Sequence, residues 1–460
     1  MLGFVLAAYG PVLAALALLL LAVGGFVGTR PNRALLVSLV IILLIPYTQH
    51  LYHPAVTPPR LAAVIGAGVL LARPRAVRLS LVDLAALAGV LATVGLWRSD
   101  IGVGVLLFTL LPLTFYAWGR LGADAQVVWS MFWVLAIAGV LGAFTVLTEY
   151  FLFQRTLFYD AQTYDYVAAG SKTIFRPAGP YGSPPTASVI LGMTALTTTT
   201  LVLVSRGWRR YVLALAVLTM LAGLVVTFGR AGWVGVLIGA LAYIALVRPS
   251  ALTRRRILAS SLILATLMIA IVIPVTMTTE VGELGVVRSS TVTGRLDFWG
   301  LTLPLITDSA GSFFFGHGAG LFASYNAKEG VRLDSVVASA SPLLAKGGPH
   351  NDYLLVQAER GLLGLAALLI WLGASVRIGV KKAVSTSGAP RLFFAGPVAA
   401  VICYSVGGLA HDMSHATQAY ALAAMLIGVL VTLRVSELAA RPSSPGSDSS
   451  PGSDEARARK

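Results

Sequence analysis

The chain has 460 residues, 57% hydrophobic and 12% charged, with a mean hydropathy of +0.82. Soluble domains carry about 25% charged residues, so this composition excludes a soluble enzyme, a disordered chain and a fibrous protein, and leaves a polytopic membrane protein. The net charge of +15 points to nucleic acid only until the charges are placed, and the single cysteine, Cys403, lies in an apolar run and allows neither an internal disulfide nor a thiolate metal cluster.

The apolar runs are long and unbroken, which predicts helices and not barrel strands. In chain order they fall at 5–28, 34–50, 60–72, 80–97, 102–118, 126–148, 184–204, 211–228, 231–247, 257–277, 352–376, 392–409 and 417–434. The expected fold is an all-α polytopic membrane protein of about 12–13 transmembrane helices. A large, partly helical extracytoplasmic loop separates the tenth and eleventh runs. Runs 34–50 and 60–72 are short for a crossing, which takes roughly 17–25 residues, and the first contains Gly10-Pro11. The amino-terminal count therefore leaves twelve or fourteen spans open. The first run is too long, and lacks the charged start, for a cleaved signal peptide.

The expected organisation is a first block of spans at 1–277, a capping loop at 278–351, carboxy-terminal spans at 352–434 and a tail at 435–460. The tail repeats SSPGSD at 443–448 and 449–454. Ser, Pro, Gly and Asp cannot bury a core, which predicts disorder there.

Most Lys and Arg fall in one set of alternate connections and the tail: Arg30 and Arg33, Arg73 to Arg78, Arg120, Arg206 to Arg210, Arg248 to Arg256, Arg377 to Arg391, and Arg434 to Lys460. The positive-inside rule places that set in the cytoplasm. Most acids fall on the other side, so the basic balance is a topology signal answered by anionic lipid, with no nucleic-acid partner implied.

Two external segments exceed ordinary loop length, 149–183 and 278–351, and such loops are usually functional or disordered. The second is aromatic (LDFWG, GSFFFGHG, LFASY), which predicts a folded cap. A short helix at about 294–307 is expected on the membrane surface, with Phe298, Trp299 and Leu301 toward lipid.

All six histidines (His50, His53, His317, His350, His411, His415) fall on the external side or its edge. The richest stretch is PHNDYLLVQAERGLLG, 349–364. Pro349 and Asn351 can start a helix, with Asn351 as its cap. His350 then stands at the outer mouth of the next span, where an imidazole can take a proton from a hydroxyl. Glu359 and Arg360 are expected roughly 14 Å deeper at 1.5 Å per residue, where charged groups are functional or pair internally.

Three arginines share the outer face: Arg230 in a hairpin between two spans (VVTFGRAGWVG), Arg295 in TGRLDFW and Arg176 in IFRPAGPYGSPP. A guanidinium grips phosphate oxygens bidentately and stays charged, so three together suit a pyrophosphate on a lipid carrier; singly, each also reads as a head-group anchor. GHGAG (316–320) lacks the strand-helix context of a nucleotide loop and reads as a tight turn. HDMSH spaces His411 and His415 as metal ligands can be spaced, but no zincin glutamate follows His411. The sequence thus implies no metal and no cofactor.

Residues 349–364 resemble the signature of the O-antigen ligase and O-antigen polymerase superfamily, carried here by His350, Asn351, Gly361 and Gly364. Arg230 in TFGRAGW, Arg295 and Trp299 in TGRLDFW, and FFGHGAGLF are similar to its other motifs. The resemblance implies a metal-independent integral-membrane glycosyltransferase of the bacterial cytoplasmic membrane with its active face outside. Its donor would be an undecaprenyl-pyrophosphate-linked glycan and its acceptor a hydroxyl on a glycan or glycolipid. His350 would be the base and Arg230 and Arg295 the pyrophosphate clamp. Such proteins have about twelve spans and cytoplasmic termini, whereas thirteen runs would put the amino terminus outside. The competing expectation is a transporter or channel for a small solute, which predicts broken helices paired in two halves and charges near mid-membrane.

Overall fold

The computed structural model describes residues 31–44, 78–96, 103–122, 124–158, 166–169, 172–247, 289–322, 348–414 and 416–436. Its helices are α1 (Pro31–Leu44), α2 (Leu81–Gly95), α3 (Val103–Gly122), α4 (Ala125–Thr148), α5 (Pro184–Val204), α6 (Trp208–Val226), α7 (Arg230–Val247), α8 (Ser289–Thr307), α9 (Ala310–Phe315), α10 (Asp352–Val384), α11 (Ala389–Gly408) and α12 (Thr417–Thr432). Six helices among the described residues are long and apolar enough to cross a membrane. The protein is a helical polytopic membrane protein with one short β hairpin. The expected runs 5–28, 60–72 and 257–277, like the repeat-bearing tail, lie outside the described residues.

Local chemistry sets the helix starts. Ser80 and Asp83 form a reciprocal capping box on α2. Asp124 caps α4, and Ser183 caps α5 ahead of Pro184 at its first turn. Helix α5 is the centre of the bundle, buried without interruption from Thr186 to Thr198. Several of its hydroxyls donate back to their own helix, as Thr194 does to the Ile190 carbonyl at 2.9 Å and Thr197 to the Met193 carbonyl at 3.0 Å. In contrast, α6 turns Trp208, Tyr211, Leu215 and Leu218 outward, the pattern of a lipid-facing helix. Small residues bring helices together. A Cβ on Gly235 or Gly239 of α7 would stand 2.8 Å from the Cys403 carbonyl oxygen and 2.7 Å from that of Ala399 on α11.

The external segment 149–183 holds more than helix. A π turn (Glu149–Phe153) continues α4, and β1 (Tyr166–Ala169) pairs antiparallel with β2 (Lys172–Phe175), Tyr166 opposite Phe175. Buried Glu149 accepts from the amides of Leu157 (2.8 Å), Ala178 (3.1 Å) and Gly179 (2.8 Å), fixing the chain that enters α5.

Two expectations about the cap need correcting. Helix α8 starts at Ser289 and does not present Phe298, Trp299 and Leu301 to lipid. Phe298 packs on the His350 ring, Trp299 bonds to residue 349, and Leu301 joins an apolar cluster with Leu305, Phe322 and Leu355. The exposed apolar residues of α8 are Leu296 and Leu303.

The second correction concerns α10. Gly361 has φ 63° and ψ −168°, which breaks the helix into 352–360 and 362–384. The later segment is long enough to cross alone, since a crossing takes roughly 20 residues. Glu359 and Arg360 thus stand at the head of that span, and a depth reckoned along one straight helix does not apply to them. The break leaves two carbonyls without helical donors. The GHGAG turn supplies them: the His317 amide donates to the Ala358 oxygen at 2.9 Å and the Gly318 amide to the Glu359 oxygen at 3.0 Å. Gly316, Gly318 and Gly320 all take positive φ to make that approach. At Gly361 a Cβ would overlap the Phe314 backbone. Gly361→Ala is therefore expected to cost at least about 3 kcal/mol, through left-handed strain plus the overlap. A thermal unfolding scan of the purified protein checks this, with Gly373→Ala, which meets open space, as the tolerated control.

Candidate active site

Helices α6 and α7 are joined by the connection Thr227–Gly229, which the local sequence holds rigid. The Thr227 hydroxyl donates to the Leu224 carbonyl (2.7 Å) and accepts from the Gly229 amide (3.1 Å), while Trp233 Nε1 donates to the same carbonyl at 3.1 Å. Phe228 takes the left-handed conformation (φ 51°). This turn presents Arg230 as the first residue of α7. Arg176 holds the turn from outside: its Nε donates to the Thr227 carbonyl at 3.2 Å and its Nη2 to the Phe228 carbonyl at 3.4 Å. Arg176 thus braces the Arg230 turn through two of its nitrogens.

His350 is held more tightly than its loop position implies. It has φ 50°, a conformation uncommon outside glycine and kept only where the surroundings enforce it. Trp299 Nε1 donates to the Pro349 carbonyl at 3.1 Å on one side. On the other, Asp412 Oδ2 accepts from the His350 amide (3.2 Å) and Oδ1 from the Asn351 amide (2.9 Å). The Asn351 side chain caps α10 through the Tyr353 and Leu354 amides and donates to the Leu409 carbonyl at 3.2 Å. In return the Ser414 amide donates to Asp352 Oδ1 at 2.8 Å. The segments 350–352 and 409–414 are therefore stapled by carboxylates running both ways. The His350 ring stacks on His411 at 6.0 Å and meets the edge of Phe298 at 5.7 Å. Its Nδ1 lies 3.6 Å from Asp412 Oδ2, beyond a hydrogen bond but within strong electrostatic reach.

The charges converge here. Arg295, entering from α8, feels both the like charge of Arg230 and the opposite charge of Asp412; burial and Arg230 lower its pKa, and Asp412 works against them. Two partly buried guanidiniums within electrostatic reach of each other repel, and an anion bound near both relieves that repulsion. Arg230, Arg295, His350 and Asp412 thus gather at one end of the bundle. Asp412 is a site residue that the sequence does not single out: its place in HDMSH gives no sign that it meets residues 350 and 351. His415 lies outside the described residues. Among the described residues no group of three or more His, Cys, Asp or Glu is placed to hold a metal.

Burial and the neighbouring Asp352 raise the Asp412 pKa well above the ordinary carboxylate value of 3.8, against the pull of the Asn351 and His350 amides. A carboxyl raised in this way is neutral at low pH and gains its charge only above the usual carboxylate range. Activity that depends on the charged form should therefore rise with pH through that ionisation. Asp412→Asn is expected to lower activity about tenfold or more and to flatten the acid limb of the pH–rate profile, while a variant that loses rate but keeps the limb would assign it to another group.

The remaining sequence candidates are buried beside this centre. Glu359 Oε1 accepts from the Phe322 amide at 3.2 Å, anchoring the end of the GHGAGLF turn. Arg360 is 7% exposed, and Gly364 leaves room for its stem, since a Cβ there would overlap that of Arg360. Gly361 supplies the break.

Residues 215–369, which include Arg230, Arg295 and His350, match the family model described as O-Antigen ligase. Over this segment, about a third of the chain, the protein is similar to the O-antigen ligase family. A comparison with curated proteins returned no match. The O-antigen ligase segment runs from α6 into the spanning half of α10 and so includes the Arg230 turn, the cap helices α8 and α9 and the Gly361 break, but not Asp412.

Proposed function

We propose that the protein moves a glycan from an undecaprenyl-pyrophosphate carrier to a hydroxyl on a glycan or glycolipid acceptor, at the extracytoplasmic face of the bacterial cytoplasmic membrane. The coarser part follows from the family: a membrane glycan transferase of the O-antigen type, using a lipid-linked donor. The observation that carries the finer reading is the convergence of Arg230, Arg295 and Asp412 around His350.

In this reading Arg230 and Arg295 hold the donor's pyrophosphate, and Arg176 keeps the Arg230 turn in place. His350, its Nδ1 toward Asp412, uses Nε2 as the basic nitrogen. The acceptor hydroxyl gives its proton to Nε2, and its oxygen bonds to the anomeric carbon. The bond from that carbon to the pyrophosphate oxygen breaks, and its electron pair leaves with the phosphate, where two guanidiniums stabilise the charge. The reaction needs no metal in this scheme, because the arginines do at the leaving group what a divalent ion does elsewhere.

The external placement of this site has its own test. Cys403 is buried; in a Cys403→Ser background, a cysteine placed at Ser324 should react with a membrane-impermeant thiol reagent on intact spheroplasts. Labelling that appears only after lysis would put the 278–351 loop, and the site with it, in the cytoplasm.

A further inference from the structure

Helix α9 is six residues long, and its last three are phenylalanines with exposed side chains. Phe313 is 38% exposed, Phe314 46% and Phe315 51%. The helix is held from within at Ser312, which is buried and whose amide donates to Ser309 Oγ at 3.0 Å. Three consecutive apolar residues facing outward are unfavourable in water unless they serve a contact, and contiguous exposed apolar surface marks a protein or a membrane partner.

The level of α9 decides between these partners. Its backbone at Phe314 and Phe315 lies so close to Gly361 that a Cβ there would overlap it, and Gln357 Nε2 donates to the Phe313 carbonyl at 3.0 Å. The α10 break therefore fixes α9 at the head of the spanning segment 362–384. Directly after the break Leu362 and Leu363 are exposed, and seven residues on, along the same helix face, so are Leu369 and Ile370. That stripe is the lipid-facing side of a span, and α9 borders its upper end. Residues 309–322 contain no Asp, Glu, Lys or Arg, and His317 turns its ring to the Leu305 carbonyl inside the cap, so no charge holds the patch in water.

We infer that α9 lies in the membrane interface, with Phe313, Phe314 and Phe315 inserted where head groups meet acyl chains, so that the lipid surface is its partner. Interfacial helices of this kind sit about 5–10 Å into that boundary. The bilayer then holds one side of the cap, and the GHGAG turn carries the constraint to the Ala358 and Glu359 carbonyls. The contact is separate from the Arg230–Arg295–His350 centre and does not rest on the transfer reading.

Spin labelling of the full chain in nanodiscs of phosphatidylglycerol and phosphatidylcholine tests it. In a Cys403→Ser background, labels are placed through Phe314→Cys and Phe315→Cys. Leu369→Cys serves as a lipid-facing reference, and Asp308→Cys, at an exposed residue just before α9, as a water-facing one. Oxygen concentrates among acyl chains, whereas a polar nickel chelate stays in water. The ratio of oxygen to chelate collisions at 314 and 315 should exceed that at 308 several-fold and approach that at 369. Either position carries the test should the other variant not fold. Chelate access equal to that at 308 would put the phenylalanines in water, and low access to both reagents would put them under protein, as docking of a second chain does; each result overturns the inference.

Discussion

His350→Ala is expected to lower glycan transfer by at least about a hundredfold while the protein expresses, folds and still binds its lipid-linked donor. General-base catalysis contributes typically about 10²–10⁴-fold, and His350 is the imidazole that the structure holds in a left-handed backbone between Trp299 and Asp412. The amide bonds to Asp412 come from the backbone of residues 350 and 351 and survive truncation of the ring, so the loop keeps its path. His317→Ala makes the contrast. The His317 ring lies 2.6 Å from the Leu305 carbonyl, a packing contact inside the cap, and its loss should affect stability more than rate per folded molecule. Steady-state transfer by purified protein, normalised to folded fraction, separates the two. Equal rates in His350→Ala and wild type would remove the base from the scheme.

Arg230→Lys is expected to slow transfer by about ten- to a hundredfold, mostly by weakening use of the donor. The substitution keeps one positive charge and loses the planar fork. A hydrogen bond to a charged group is worth about 1.5–3 kcal/mol, and a factor of ten in rate is about 1.4 kcal/mol. The turn itself should survive, because Thr227, Trp233 and Arg176 hold it through contacts that do not use the Arg230 side chain. Donor titration at saturating acceptor reads the effect. Near-wild-type donor kinetics would make Arg230 an anchor to lipid head groups.

The sequence was most legible where hydropathy and capping speak directly. The runs 184–204, 231–247 and 417–434 emerge as α5, α7 and α12 within one or two residues, since apolar length and terminal caps are local signals. Asn351 capping α10 and Arg230 opening α7 were legible for the same reason. What stayed hidden depends on chain segments far apart in sequence. The Gly361 break needs the Phe314 backbone beside it, and a glycine inside an apolar run gives no sign of φ. Asp412 becomes a partner of His350 only when α11 returns the chain to the mouth of α10. The contact of Arg176 with the Thr227 and Phe228 carbonyls was hidden too, because a lone arginine in a loop does not reveal the carbonyls it will meet.

The most direct test of the proposed function follows both halves of the reaction at once in purified, membrane-reconstituted protein supplied with an undecaprenyl-pyrophosphate-linked glycan, an acceptor and EDTA. The scheme predicts that free undecaprenyl pyrophosphate appears in step with glycan on the acceptor, that chelation leaves the rate unchanged, and that His350→Ala abolishes both signals together. Movement of solute or of intact donor across the membrane without release of undecaprenyl pyrophosphate would contradict it and favour a transport function.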